Sequence, residues 1–151
     1  MHRPATDLLR NGGVIIYTVP EATVAEATKK MAFHNVSSIL VLENNRTLIG
    51  IFTERDLLRR VVVEGIDSNT TRISEVMTRN VIVVSRDTPL RQVHLLMNEK
   101  HIRHIPVADE DQLLGVISLR DLLRYENQVK EFEINQLKDY LLNKPYPVYP
   151  G

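Results

Sequence analysis

The 151 residues include no cysteine, which excludes disulfides, thiolate nucleophiles and cysteine-ligated zinc. Neither sign of charge is in excess. Lys plus Arg and Asp plus Glu number 19 each, so no bulk attraction to nucleic acid or to a membrane surface is expected and any anion site must be local. Long apolar runs are missing too. The stretch Val14 to Val19 is far too short to cross a bilayer, and the N-terminus lacks the basic region and long apolar segment of a secretory signal. No glycine-rich loop of the Walker or dinucleotide type occurs, and no Ser, His and Asp constellation stands out. His101 and His104 are three apart, but on a strand entry with no third ligand at a usable spacing, so no metal is expected. His34 and His94 fall on predicted helices and read as solvated or half-buried packing. These absences point to a soluble cytoplasmic protein, non-catalytic and with no required cofactor. The length suits one compact domain or two small interlocked ones.

What is present is a stretch written twice. Leu48 Ile49 Gly50 Ile51 Phe52 Thr53 Glu54 Arg55 Asp56 Leu57 Leu58 Arg59 returns 65 positions later as Leu113 Leu114 Gly115 Val116 Ile117 Ser118 Leu119 Arg120 Asp121 Leu122 Leu123 Arg124. Seven of the twelve positions are identical, four more exchange like for like, and only Glu54 against Leu119 breaks type. Each copy reads as a buried strand, a Thr or Ser that ends it, and an apolar-periodic helix. The hydroxyl and the acidic residue three positions on form a helix cap. Capping asks nothing of Gly50 or Arg55 and their counterparts. A helix start with exposed N–H groups beside a hydroxyl and an Arg is also a local anion site, and the two roles are compatible.

Around the motif the remaining elements repeat. Thr6 to Arg10 and Ile73 to Met77 read as short helical lead-ins, Val14 to Val19 and Val81 to Val84 as strands. Helical apolar spacing runs through Val24, Ala27, Met31 and Ala32, then through Leu90, Val93 and Met97. Thr88 is expected to cap the latter helix with Pro89 at its first position. Val36 to Leu42 with Leu48 to Phe52, and Ile102 to Ala108 with Leu113 to Ile117, read as hairpins, the second with a turn one residue shorter. The first motif helix is expected from Thr53 to about Val63. The fold class is therefore α/β (α+β): two strand-helix-strand-strand-helix repeats, 1–65 and 66–142, packed about a pseudo-two-fold with their sheets meeting. A long final helix carries an apolar stripe with no counterpart in the first repeat, Tyr125, Val129, Phe132, Leu137, Tyr140 and Leu141, and residues 143–151 form a proline-rich tail.

The repeated Gly-to-Asp motif, the element order and the run Ile102 Arg103 His104 Ile105 Pro106 Val107 resemble a tandem pair of CBS domains, the module named after cystathionine beta-synthase, over nearly everything from Asn11 to Arg124. The resemblance implies a regulatory module that binds AMP, ADP or ATP in two clefts. In each, the motif Asp holds the ribose hydroxyls and the Thr or Ser lies near ribose or phosphate. A carboxylate can accept from both hydroxyls of a diol. One cleft would join Ser118 and Asp121 to Asn11, Val14, Ile16, Val36, Ser37 and Ser38. The other would join Thr53 and Asp56 to Met77, Asn80, Ile82, Ile102, Arg103 and His104. The apolar members would sandwich the adenine, and Arg103 and His104 would meet phosphates. Glu54 sets the Asp56 cleft at a disadvantage for anions, so the Asp121 cleft is expected to be the better occupied one. NAD(H), S-adenosylmethionine or a cyclic dinucleotide would use the same contacts. A structural or dimerisation module with empty clefts, or a small enzyme acting on nucleotides, are the other classes. Partners implied are a second copy in a homodimer and a regulated protein, with neither nucleic acid nor membrane.

Overall fold

The computed structural model describes residues 3–9 and 15–142. The expected start of the first strand at Val14, the end of the lead-in at Arg10 and the tail 143–151 lie outside that range. A 3-10 turn, Ala5–Leu8, comes first, followed by β1 (Tyr17–Thr18), α1 (Val24–His34), β2 (Ser38–Glu43) and β3 (Thr47–Thr53). The first motif helix opens as α2 (Glu54–Asp56) and continues as a π-helix, Leu57–Val62. The second repeat comprises α3 (Ile73–Val76), β4 (Val84–Ser85), α4 (Leu90–Lys100), β5 (His104–Asp109), β6 (Gln112–Ser118) and α5 (Leu119–Leu142).

Each repeat has a three-stranded sheet, ordered β1-β2-β3 or β4-β5-β6, with the first pair parallel and the second antiparallel. The edge strands β1 and β4 hold only two paired residues each, shorter than their β-branched runs suggest. α1 starts on a capping box between Thr23 and Glu26 and ends at Asn35 in the left-handed conformation, φ 53°. Its buried face is Val24, Ala27 and Met31; Ala32, expected there, faces solvent. α4 buries Leu90, Val93 and Met97 as its spacing predicts. Thr88 does not cap it. Pro89 is the N-cap residue without a side-chain bond, and the Thr88 hydroxyl turns back to Ser85, accepting from its N–H at 3.1 Å. The hairpin turns follow Glu43 and Asp109, the second one residue shorter, with Asn44, Asn45 and Glu110 at positive φ.

The two repeats exchange their lead-ins. Ile73, Val76 and Met77 precede the second repeat in sequence but are buried in the core of the first, with Val24, Ile39 and Phe52. Ala5, Leu8 and Leu9 precede the first repeat and pack in the core of the second, with Leu90, Ile105 and Leu122. Leu40, Leu42 and Ile51 make a third cluster with Val81, Leu113 and Val116, where the sheets meet.

This exchange explains the motif glycines. A Cβ on Gly50 would lie 2.9 Å from Met77 Cγ and would also overlap its Sδ, and one on Gly115 would lie 2.8 Å from Leu9 Cδ2. Each glycine leaves the room that the other repeat's lead-in fills. Of α5, only Leu122 is fully buried. Tyr125 packs on the second core, whereas Phe132, Ile134, Leu137 and Leu141 are more than half exposed. No helix among the described residues is long and apolar enough to cross a membrane.

Candidate functional site

The two motif helices begin alike in backbone and differently in side chains. At the first, Thr53 and Asp56 form a reciprocal capping box: Asp56 N–H donates to Thr53 Oγ1 at 3.2 Å and Thr53 N–H to Asp56 Oδ2 at 3.0 Å. Two hydroxyls add to it, Thr53 Oγ1 at 3.2 Å from Oδ2 and Thr78 Oγ1 at 3.2 Å from Oδ1. The Arg60 guanidinium stands 3.6 Å from Oδ1, and Asp56 is buried. At the second, Asp121 N–H donates to Ser118 Oγ at 3.1 Å. The Asp121 side chain is only half-buried, and among the described residues its carboxylate has no hydrogen-bond partner.

Between them lies His104, at the start of β5. Its Nε2 is 2.7 Å from Ser37 Oγ of the other repeat. Burial holds its pKa below the usual imidazole value; the Arg103 and Arg55 guanidiniums push the same way, while Asp121 and Asp56 pull it back up. Both motif aspartates therefore act on one imidazole. Arg103 projects into solvent. Ser37 and Arg103 are equivalent across the repeats, each offering its carbonyl to the first N–H of a motif helix, Glu54 at 3.1 Å and Leu119 at 2.7 Å.

A consequence is measurable. The folded state disfavours the His104 proton relative to the unfolded chain, whose imidazole titrates near 6.5. In that window the unfolded state binds more protons, so stability rises with pH. The His104 contribution is complete above about pH 6.5 and is lost as pH falls through the depressed folded value. Melting temperature followed from pH 8 down to 5 should drop less steeply in His104→Gln than in the wild type. Parallel acid limbs would show that His104 is not a source of the acid sensitivity.

Of the other residues the sequence assigns to the clefts, Ser38 pairs with Thr53 across β2 and β3 and is half-buried. Ile16 and Val36 lean on the first core and Ile102 on the second. Each is half-buried, so only one flank is free for an adenine. Met77 is almost wholly buried, filling the space over Gly50. Ile82 is half-buried and Asn80 exposed. Asn11 and Val14 lie outside the described residues. The segment after Met77 does reach the first motif: Thr78 pairs with Ile51 through two backbone hydrogen bonds, 2.8 and 2.9 Å, as well as touching Asp56.

Two residues, Thr78 and Arg60, were not singled out by sequence as site residues. Thr78 and Arg60 bind Asp56, and Arg60 also donates to the Met77 carbonyl at 2.9 Å. Arg55 donates to the His101 carbonyl at 3.0 Å, closing the C-terminal end of α4 from the other repeat. The spacing of Arg60, one helical turn after Asp56, is a readable signal; Thr78 carries none. His101 is the left-handed C-cap of α4, and His94 pairs with Glu126 at 3.0 Å between α4 and α5. No three His, Cys, Asp or Glu among the described residues gather as a metal site. Two concavities lie away from both aspartates. One of about 1130 Å³ opens between the hairpin turns over Tyr17, Arg46, Arg79 and Leu113. One of about 580 Å³ lies between α1 and the π-helix over Thr28, Val61 and Ile66.

Two α/β repeats that exchange lead-ins define a duplicated module. The chain belongs to the CBS domain family, whose model matches residues 14–63 and 73–127. It is 32% identical over 133 residues to the mitochondrial CBS domain-containing protein CBSX3 of Arabidopsis thaliana, covering 85% of this chain. The match spans 65% of that relative's length. The CBS domain pair of protein MJ0100, solved with 5'-methylthioadenosine and S-adenosyl-L-methionine, superposes with a TM-score of 0.74 at 26% identity, over 85% of this chain and 98% of that one. A hexameric CBS-CP12 protein from bloom-forming cyanobacteria superposes with a TM-score of 0.73 at 26% identity, over 99% and 79%.

Proposed function

We propose that the chain is a non-catalytic cytoplasmic module that binds an adenosine-containing ligand, an adenine nucleotide of the AMP, ADP or ATP type, and passes its occupancy to a partner protein. The observation that carries this reading is Asp121. Its carboxylate lies at the start of a long helix, half-buried, with no partner among the described residues, and acts on His104. Such a group can accept both hydroxyls of a ribose diol. Ser118, Ser37 and Ser38 offer neutral groups nearby, Arg103 offers a cation for a phosphate, and His104, its charged form disfavoured by burial, offers a ring nitrogen. The adenosyl ligands of the MJ0100 pair support the same chemistry.

The test is a thermal-shift panel of adenosine, AMP, ADP, ATP, NAD(H) and S-adenosylmethionine, followed by titration of Arg103→Ala. An Arg makes two charge-assisted bonds to a phosphate. The variant should therefore lose affinity for AMP and ATP by roughly ten-fold or more while adenosine is little changed. Equal losses for all three would reduce Arg103 to packing. No stabilisation by any compound would favour the alternative, an assembly module with empty clefts.

The same module is proposed to be a homodimer, on the exposed stripe Phe132, Leu137 and Leu141 of α5. Apolar surface left in water costs about 25 cal/mol per Å². Light scattering at micromolar concentration should give a dimer mass, and truncation after Arg124 should reduce it. A monomer would contradict the assignment, a hexamer would place the chain with the cyanobacterial relative, and a dimer that survives truncation would move the contact off α5.

A further inference from the structure

We infer that adenosyl binding is confined to the Asp121 cleft, and that Asp56, its counterpart in the motif, is a staple that fastens the exchanged lead-in of the second repeat onto the first. The inference rests on the function proposed above and narrows it to one site.

A carboxylate has about four lone-pair positions. Those of Asp56 meet the Thr53 N–H, the Thr53 hydroxyl, the Thr78 hydroxyl and, at longer range, Arg60. With the residue 8% exposed, a ribose diol would have to displace Thr78 and lift the side chain from its cap. The partners also serve one another. Thr78 is tied to Ile51 through both backbone groups, Arg60 spans from Asp56 to the Met77 carbonyl, and Met77 fills the gap over Gly50. Every contact holds residues 76–78 against the first repeat.

Among the described residues, the motif of the second copy carries no such staple. Ser118 Oγ accepts from the Asp121 N–H, but the Ser118 N–H does not donate back to the carboxylate. The position one helical turn after the aspartate, Arg60 in the first copy, is Tyr125, which packs on the second core. The aspartate of the repeated motif is thus engaged in the first copy and, among the described residues, its carboxylate has no hydrogen-bond partner in the second.

Calorimetric titration of the whole chain with AMP and with S-adenosylmethionine as probes tests this, together with apo melting of Asp56→Asn and Thr78→Val. Wild type should show one binding event per chain. Both variants should keep that event within about two-fold and melt lower, by on the order of 5 °C for Asp56→Asn. Two events per chain in the wild type, or loss of an event in Asp56→Asn with unchanged apo melting, would overturn the inference while leaving the adenosyl function standing. If neither probe binds wild type at all, the function fails and the single site with it; lowered melting of both variants would then mark the staple alone.

Discussion

Gly50→Ala should destabilise the chain by about 1–3 kcal/mol, and the loss should be traceable to one side chain of the other repeat. The added Cβ would stand 2.9 Å from Met77 Cγ and 3.1 Å from its Cε, inside contact distance. Met77 is 3% exposed and surrounded by Ile39, Phe52, Ile73 and Val76, so it has little room to turn aside. Met77→Ala alone should also be costly, about 2–5 kcal/mol, because it empties the same space. The double variant should cost less than the sum, since the new methyl partly fills the void that the lost thioether leaves. Residues in contact couple by about 0.5–3 kcal/mol in such cycles. Urea unfolding of the four proteins measures the coupling. Additive losses would mean that Gly50 and Met77 do not meet and that the lead-ins are not exchanged as described.

Apolar spacing alone does not show the exchange, although the family resemblance, which sets Met77 with Asp56 and Asn11 with Asp121, implies it. A lead-in of four or five residues with an apolar pair carries no mark of which sheet it will cover, and the nearer repeat in sequence is the natural guess. The same gap hid the purpose of Gly50 and Arg55. Capping leaves both unexplained, which favoured a ligand; Met77 and the His101 carbonyl now account for them by contacts between repeats. Other features were legible because they are local and periodic. The buried faces of α1 and α4, the paired hairpins and the full reach of α5 follow from apolar spacing and turn residues. The π-helical turn Leu57–Val62 and the two-residue edge strands were not legible, since the same β-branched runs suit a regular helix or a longer strand. Thr88 was misread because Thr before Pro suits a cap as well as the bond back to Ser85 that it makes.

The site divides the same way. The motif identifies Thr53, Asp56, Ser118 and Asp121 as helix starts, and all four take part in caps, but the repeat makes the two aspartates look equal. What separates them, Thr78 and Arg60, lies outside the twelve repeated positions. Glu54 against Leu119 pointed to the Asp121 cleft on charge; the bonds around Asp56 give a second and independent physical reason. His104 gains its place at the centre only through Ser37, 67 positions away.

Asp121→Ala should weaken an adenosine-containing ligand by about ten-fold to a hundred-fold or more, because hydrogen bonds to a charged group contribute roughly 1.5–3 kcal/mol. The fold should tolerate it. The Ser118 cap survives, since it uses the Asp121 backbone N–H and not the carboxylate, and the remaining loss is that of an acidic residue in a first helical turn, about 0.3–1 kcal/mol. The diol is common to AMP and adenosine, so the loss should be similar for both.

The decisive measurement is calorimetric titration of wild type and Asp121→Ala with AMP, paired with apo melting of both. The account predicts binding to wild type, a loss of ten-fold or more in the variant and apo melting temperatures within about 3 °C of each other. Wild-type affinity in the variant, accompanied by a clearly lowered melting temperature, would contradict it and leave Ser118 to Asp121 as a helix cap and nothing more.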